Sequence, residues 1–158
     1  MPRLSALCCA LFGLMAVAPA MASDSPAGIH HLNPAGLSKP TGYTHVVEVP
    51  NTGRTLYLSG QIALDAQGKL IGAGDFAKQA DQVFANIKTA LEASGASFDN
   101  VVKLNMYVTD MSQLQALRTA RDKYINTRHP PASTLVEVSK LAREGLLLEI
   151  EAVAVVPQ

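Results

Sequence analysis

The sequence predicts an α+β domain, with one mixed β-sheet and two helices packed on one of its faces. Three observations carry that reading. Apolar residues recur every three or four positions over Asp75–Ser94 and again over Ser112–Asn126, the period of an amphipathic helix. Shorter stretches between and around them alternate or run apolar in the manner of strands, giving the order ββ(β)αβαββ. Two helices can cover only one face of a sheet, so the other face should keep Leu135, Leu147, Val153 and Val155 and seek a partner.

The chain has 158 residues, enough for one domain with a substantial core. Thirteen basic residues balance thirteen acidic ones, so the formal net charge is zero. That balance argues against nucleic-acid binding, which needs clustered Lys and Arg. The first 22 residues read as a secretory signal peptide: Arg3, then an apolar run from Leu4 to Val17, then Ala20 and Ala22 before the polar Ser23. Cleavage after Ala22 predicts a periplasmic or secreted protein with no membrane attachment. Both cysteines, Cys8 and Cys9, lie in the removed segment, so the mature chain has no disulfide, thiol nucleophile or thiolate ligand.

Residues 23–41 are rich in Pro, Gly, Ser and Asn and read as a mobile arm and an approach loop, ahead of a single domain over 42–158. His30 and His31 fall in that arm without a third ligand at metal spacing, so no metal or cofactor is expected. Tyr43–Val49 and Thr55–Ile62 read as a hairpin across the turn at 50–53. Ser59, Gly60 and Gln61 end its second strand, where a small residue followed by Gly leaves backbone N–H groups open to a ligand. Asp65–Gly68 is a turn, followed by a short edge strand at Leu70 and Ile71.

Asp75 suits the N-cap of the first helix and Gly95 its C′ position. Lys78, Gln79, Gln82 and Lys88 are expected on its wet side. Asn100–Asp110 alternates as a strand, and Asp110 opens the second helix, whose Arg118, Arg121 and Lys123 read as a solvated basic face. Pro130 and Pro131 exclude helix ahead of a strand over Ala132–Val138. Turn residues Ala142–Gly145 lead to a last strand, Leu146–Val155, with Glu149 and Glu151 on one face among aliphatics.

The run from Pro131 to Val138 and the run from Leu148 to Val155 resemble the C-terminal signature of the RidA (YjgF) family, and Ser59–Gln61 resembles a second one. The resemblance covers about Asn33 to Val156. It implies a chorismate-mutase-like fold, a homotrimer with small-ligand pockets between subunits, and hydrolysis of reactive enamines or imines without a cofactor. It also implies roles: Glu149 as the catalytic carboxylate, and Tyr43, Ser59 and Gly60 as substrate-binding residues. The family's arginine, which clamps the substrate carboxylate, aligns with Ser133, and its frequent cysteine with Leu135. The clamp is therefore missing, and Arg118 is the guanidinium considered as its substitute.

Three functions stay open on the sequence. One is an enamine or imine deaminase using Glu149 as general acid/base. Another is a trimer that holds a small ligand in its clefts without turning it over. An endoribonuclease is the third; it is disfavoured because no basic groove or histidine pair is legible.

Overall fold

The computed structural model describes residues 28–50 and 53–158. The signal peptide predicted over 1–22, the start of the arm and part of the predicted hairpin turn lie outside them. Strand β1 (His30–Leu32) pairs antiparallel with β2 (Val46–Glu48), His31 opposite Val47. The approach loop thus carries regular structure, and Ile29 at its start is buried. The predicted hairpin of β2 with the next strand does not form. β3 (Gly53–Gln61) instead pairs antiparallel with the last strand, β6 (Leu148–Pro157). After β3, Leu64 and Leu70 make a single bridge across the turn at 65–68, in place of an edge strand.

Helix α1 (Phe76–Ala93) forms where the apolar stripe predicts it. The Asp75 carboxylate accepts from the Lys78 N–H at 3.0 Å, capping the first turn. That bond holds the Asp75 carboxyl below the usual carboxylate range. Gly95, at φ +69°, ends the helix in the left-handed region, and its N–H donates to the Glu92 carbonyl. Phe76, Ala80, Val83, Phe84, Ile87 and Leu91 are all buried. Burying a side chain of this size stabilises by roughly 1.5–3 kcal/mol.

Gln79 is a correction. It is expected on the wet side but is fully buried. Its amide donates to the Gly145 carbonyl at 2.7 Å and the Gly72 carbonyl at 3.2 Å, and accepts from the Leu147 N–H at 2.9 Å. The side chain thus ties α1 to the two loops that flank it. Gln79→Leu should keep the shape and leave those backbone groups without their partner. A destabilisation of roughly 2–3 kcal/mol follows, read as a lower urea midpoint; an unchanged midpoint would contradict the structural role.

β4 (Val101–Val108) runs between β6, its antiparallel neighbour, and β5 (Ala132–Glu137), with which it is parallel. The sheet order is β3-β6-β4-β5, a mixed sheet as predicted. The two terminal strands are therefore not a hairpin, because β4 lies between them. Alternation along a strand fixes which residues share a face and says nothing of which strand lies next door. Helix α2 (Leu114–Arg121) is shorter than predicted and follows a 3-10 turn, Met111–Gln113, whose cap is Asp110. The Asp110 carboxylate accepts from the Ser112 N–H at 2.8 Å.

Both helices contribute to one core with the inner face of the sheet: Leu104, Met106 and Val108 of β4, and Leu148, Ile150, Ala152 and Ala154 of β6. Ser133 pairs with Leu104 and Leu135 with Met106, so both lie on that inner face. Leu135 is expected on the bare face and belongs to the covered one. Leu147, too, packs against the core. The outer face carries Tyr57, Val153, Lys103, Asn105, Tyr107, Glu149, Glu151 and Val136 by register. Tyr57 is 81% exposed there.

Candidate functional site

The sequence-predicted residues fall into two groups, one on each face of the sheet. Tyr43, Arg118 and Ser133 line one cavity of about 220 Å³ on the helix side. Its apolar walls are Met106 of β4, Leu114 and Leu117 of α2, and Leu135 of β5. The Thr44 N–H donates to the Pro131 carbonyl and the Thr44 hydroxyl to the Pro130 carbonyl, fastening the approach loop beside β5. Tyr43 is held edge-on to His45, ring centroids 5.2 Å apart, and His45 contacts the Ser38 carbonyl at 2.8 Å. These contacts place the Tyr43 side of the cavity.

Arg121 also lines this cavity and is missed by the sequence reading, which places it on a solvated face. Only 8% of it is exposed. Its Nε and Nη2 both lie 2.8 Å from Asp122 Oδ1. The guanidinium lies against Gly42, which has φ +81°; a Cβ there would stand 2.6 Å from Nη2. Glycine is thus required at 42 for both its conformation and its lack of a side chain.

Glu149, Ser59 and Gly60 form the second group. Between Leu58 and Gln61 the β3–β6 register slips, because three steps on β3 oppose two on β6, from Ala152 to Ile150. Ser59 and Gly60 occupy that bulge, which interrupts the ladder as the Ser-Gly-Gln pattern suggests. The Glu149 carboxylate lies against Gly60 so closely that a Cβ on Gly60 would overlap it.

The two carboxylates of β6 are not equivalent. Glu151 accepts from Asn105 Nδ2 at 3.3 Å and from the Tyr107 hydroxyl at 3.4 Å, and its charge pushes the Tyr107 phenol up. Glu149 makes no hydrogen bond or ion pair among the described residues. Its carboxylate is available to a ligand, and Glu151 is committed to its neighbours. Hydrogen bonding distinguishes the pair; composition does not.

Ser133 and Glu149 lie on opposite faces of the same sheet, since Ser133 registers with the buried Leu104 and Glu149 with Tyr107 of the outer face. One subunit therefore does not bring them together. His129, at the end of the loop leading to β5, stands beside His31, ring centroids 5.5 Å apart. Burial, and next the charge of His129, hold His31 below the ordinary histidine value. Among the described residues no three His, Cys, Asp or Glu gather at metal-binding distance.

A four-stranded mixed sheet with two helices on one face, a Ser-Gly bulge against Glu149 and a small cavity of mixed polarity define a protein of the α+β class with a candidate ligand site. Comparison with known proteins narrows it. The model of the family described as Endoribonuclease L-PSP matches residues 36–156. Protein HMF1 of Saccharomyces cerevisiae is 40% identical over 112 residues, 71% of this chain and 82% of that protein. The 2-iminobutanoate/2-iminopropanoate deaminase of Dermatophagoides farinae is 33% identical over 121 residues, 75% of this chain and 89% of that one. The crystal structure of a conserved Rid-family protein of unknown function, YyfB from Yersinia pestis, matches with TM-score 0.72 and 34% identity, covering 82% of this chain and 99% of that chain. The chain belongs to the RidA (YjgF) family.

Proposed function

We propose that this protein is an exported RidA-family trimer that binds a small carboxylate-bearing molecule in its intersubunit clefts and is a weak imine deaminase. The observation that carries this reading is Ser133 in the wall of the 220 Å³ cavity, where family resemblance implies an arginine. A serine hydroxyl cannot replace a bidentate guanidinium–carboxylate pair. The loss costs roughly 1.5–3 kcal/mol of anion binding, at least about tenfold in affinity.

The position of Glu149 supports assembly. A cleft that uses residue 133 and Glu149 together must take them from two subunits, because one sheet separates them. In such a cleft, Glu149 would move the proton while the interrupted ladder at Ser59 and Gly60 offers N–H groups to the substrate. The Dermatophagoides relative is named for 2-iminobutanoate and 2-iminopropanoate, which share one carboxylate on a short carbon chain. The substrate class proposed for this chain is the same, at lower efficiency. The test is ammonia release from 2-aminoacrylate generated in situ: the natural chain should be markedly slower than its Ser133→Arg variant, and equal rates would overturn the reading.

Export rests on Arg3, the Leu4–Val17 run and the Ala20 and Ala22 pair. Protein recovered outside the cytoplasm should begin at Ser23 by intact mass. Soluble cytoplasmic protein retaining Met1 would contradict export and leave the cleft chemistry untouched.

A further inference from the structure

Tyr43 enters the cavity wall from the approach loop, and the loop is stopped on both sides of it. One residue later, Thr44 is buried and donates to the Pro130 and Pro131 carbonyls ahead of β5. One residue earlier, Gly42 rests against the Arg121 guanidinium of α2. A Cβ at 42 would stand 2.6 Å from Nη2, 3.2 Å from Nη1 and 3.3 Å from Cζ. This second stop is firm. The Arg121 carbonyl accepts from the Tyr124 N–H at 2.9 Å and the Ile125 N–H at 3.2 Å, which fixes its backbone where α2 ends. Asp122 Oδ1 holds the far end of the side chain, 2.8 Å from both Nε and Nη2. The guanidinium charge is thereby met within its own segment, so the group gives the cavity shape and not a hold on an anion.

We infer that Arg121 is the positioning residue of this site: locked by Asp122, it sets where Gly42 lies and so holds the Tyr43 ring at the cavity. This deepens the cleft-ligand reading and rests on it for the effect on turnover. A guanidinium is planar and rigid, so it can serve as a flat stop for a passing backbone. Gly42 is its counterpart, since φ +81° and the missing side chain let the chain come that close. With Thr44 as the only anchor, the chain ahead of it would be free to swing. Tyr43 would then be ordered only on ligand arrival, and that ordering would be taken out of binding. Releasing the backbone of one residue corresponds to roughly tenfold in an equilibrium constant.

The test is amide hydrogen exchange by NMR on the natural protein, Arg121→Ala, Gly42→Ala and the double variant. Arg121→Ala should speed exchange of the Thr44 N–H at least about tenfold and leave Ile150, buried at the centre of the sheet, unchanged. A residue that only stabilises the fold would speed both. If Arg121→Ala loses helix by circular dichroism, Arg121→Met carries the same prediction, because it keeps the stem and loses the planar end and the Asp122 pairing. Gly42→Ala should also speed Thr44 exchange, by strain at positive φ and by collision with the guanidinium. Removing Arg121 relieves the collision, so the double variant should fall short of the product of the single effects. Turnover gives the functional arm. Arg121→Ala and Tyr43→Ala should each slow ammonia release from 2-aminoacrylate, and the pair should be no slower than Tyr43→Ala alone, since one acts through the other. Unchanged Thr44 exchange in the Arg121 variants, or single effects that multiply, overturns the positioning role and leaves the cleft-ligand reading standing. A natural protein that releases no ammonia counts against the deaminase reading, and the exchange comparison still decides the role of Arg121.

Discussion

Tyr57→Asp is expected to turn a trimer into a folded monomer. Tyr57 stands on the outer sheet face opposite Val153 and is 81% exposed in the single subunit. A substitution at so exposed a position changes the stability of an isolated subunit by no more than about 0.5 kcal/mol. In an assembly that covers this face, the same aspartate would be buried without a partner, at roughly 3–5 kcal/mol per subunit. The two environments give different answers, which makes this position more informative than Val153. An aspartate at 153 would sit opposite Lys103 and gain a counter-charge, blurring the result. Light scattering should give three subunit masses for the natural protein and one for Tyr57→Asp, with circular dichroism unchanged. A natural monomer, or a variant that stays trimeric, would contradict assembly through this face.

The parts of this molecule that were legible in the sequence are those fixed by local period. Every residue of the predicted α1 stripe from Phe76 to Leu91 is buried, because a one-sided helix has only one way to hide its apolar stripe. Turn chemistry at Gly95 and Gly145 was equally local, and both take the positive φ expected of them. The misreadings share a different origin. Alternation puts Ser133 and Leu135 on one face of β5, but which face is covered depends on the register with Leu104 and Met106, a tertiary fact. Gln79 and Arg121 look like solvent residues by type. One is buried because two loop carbonyls and an amide converge on it, the other because Gly42 makes room and Asp122 supplies charge. His129 found its partner in His31 through the folding of the approach loop, which no spacing rule encodes.

The candidate site was legible as a set of residues and not as an arrangement. Tyr43, Arg118 and Ser133 do share a cavity, and Glu149 does lie against Gly60. Their separation by the sheet could not be read from the sequence, because it depends on β4 lying between β5 and β6 and on its register with both. Chemistry that uses residue 133 and Glu149 on one ligand would therefore need the two residues from different subunits.

Ser133→Arg is expected to raise deamination, and it addresses the central claim directly. Ser133 lies on the inner face beside an apolar wall, in a cavity that already accommodates Arg118 and Arg121. A guanidinium introduced at 133 would regain the bidentate hold on a short-chain carboxylate. The gain should reach about tenfold or more in kcat/KM on 2-aminoacrylate, the equivalent of a single charge-assisted clamp. Glu149→Gln in the same background should remove the gain, since an amide cannot exchange the proton and Glu149 is the carboxylate left free on β6. The measurement is ammonia release from 2-aminoacrylate under identical conditions for the natural protein, Ser133→Arg and the double variant. The account predicts slow, fast and slow in that order; a natural protein as fast as Ser133→Arg would contradict it.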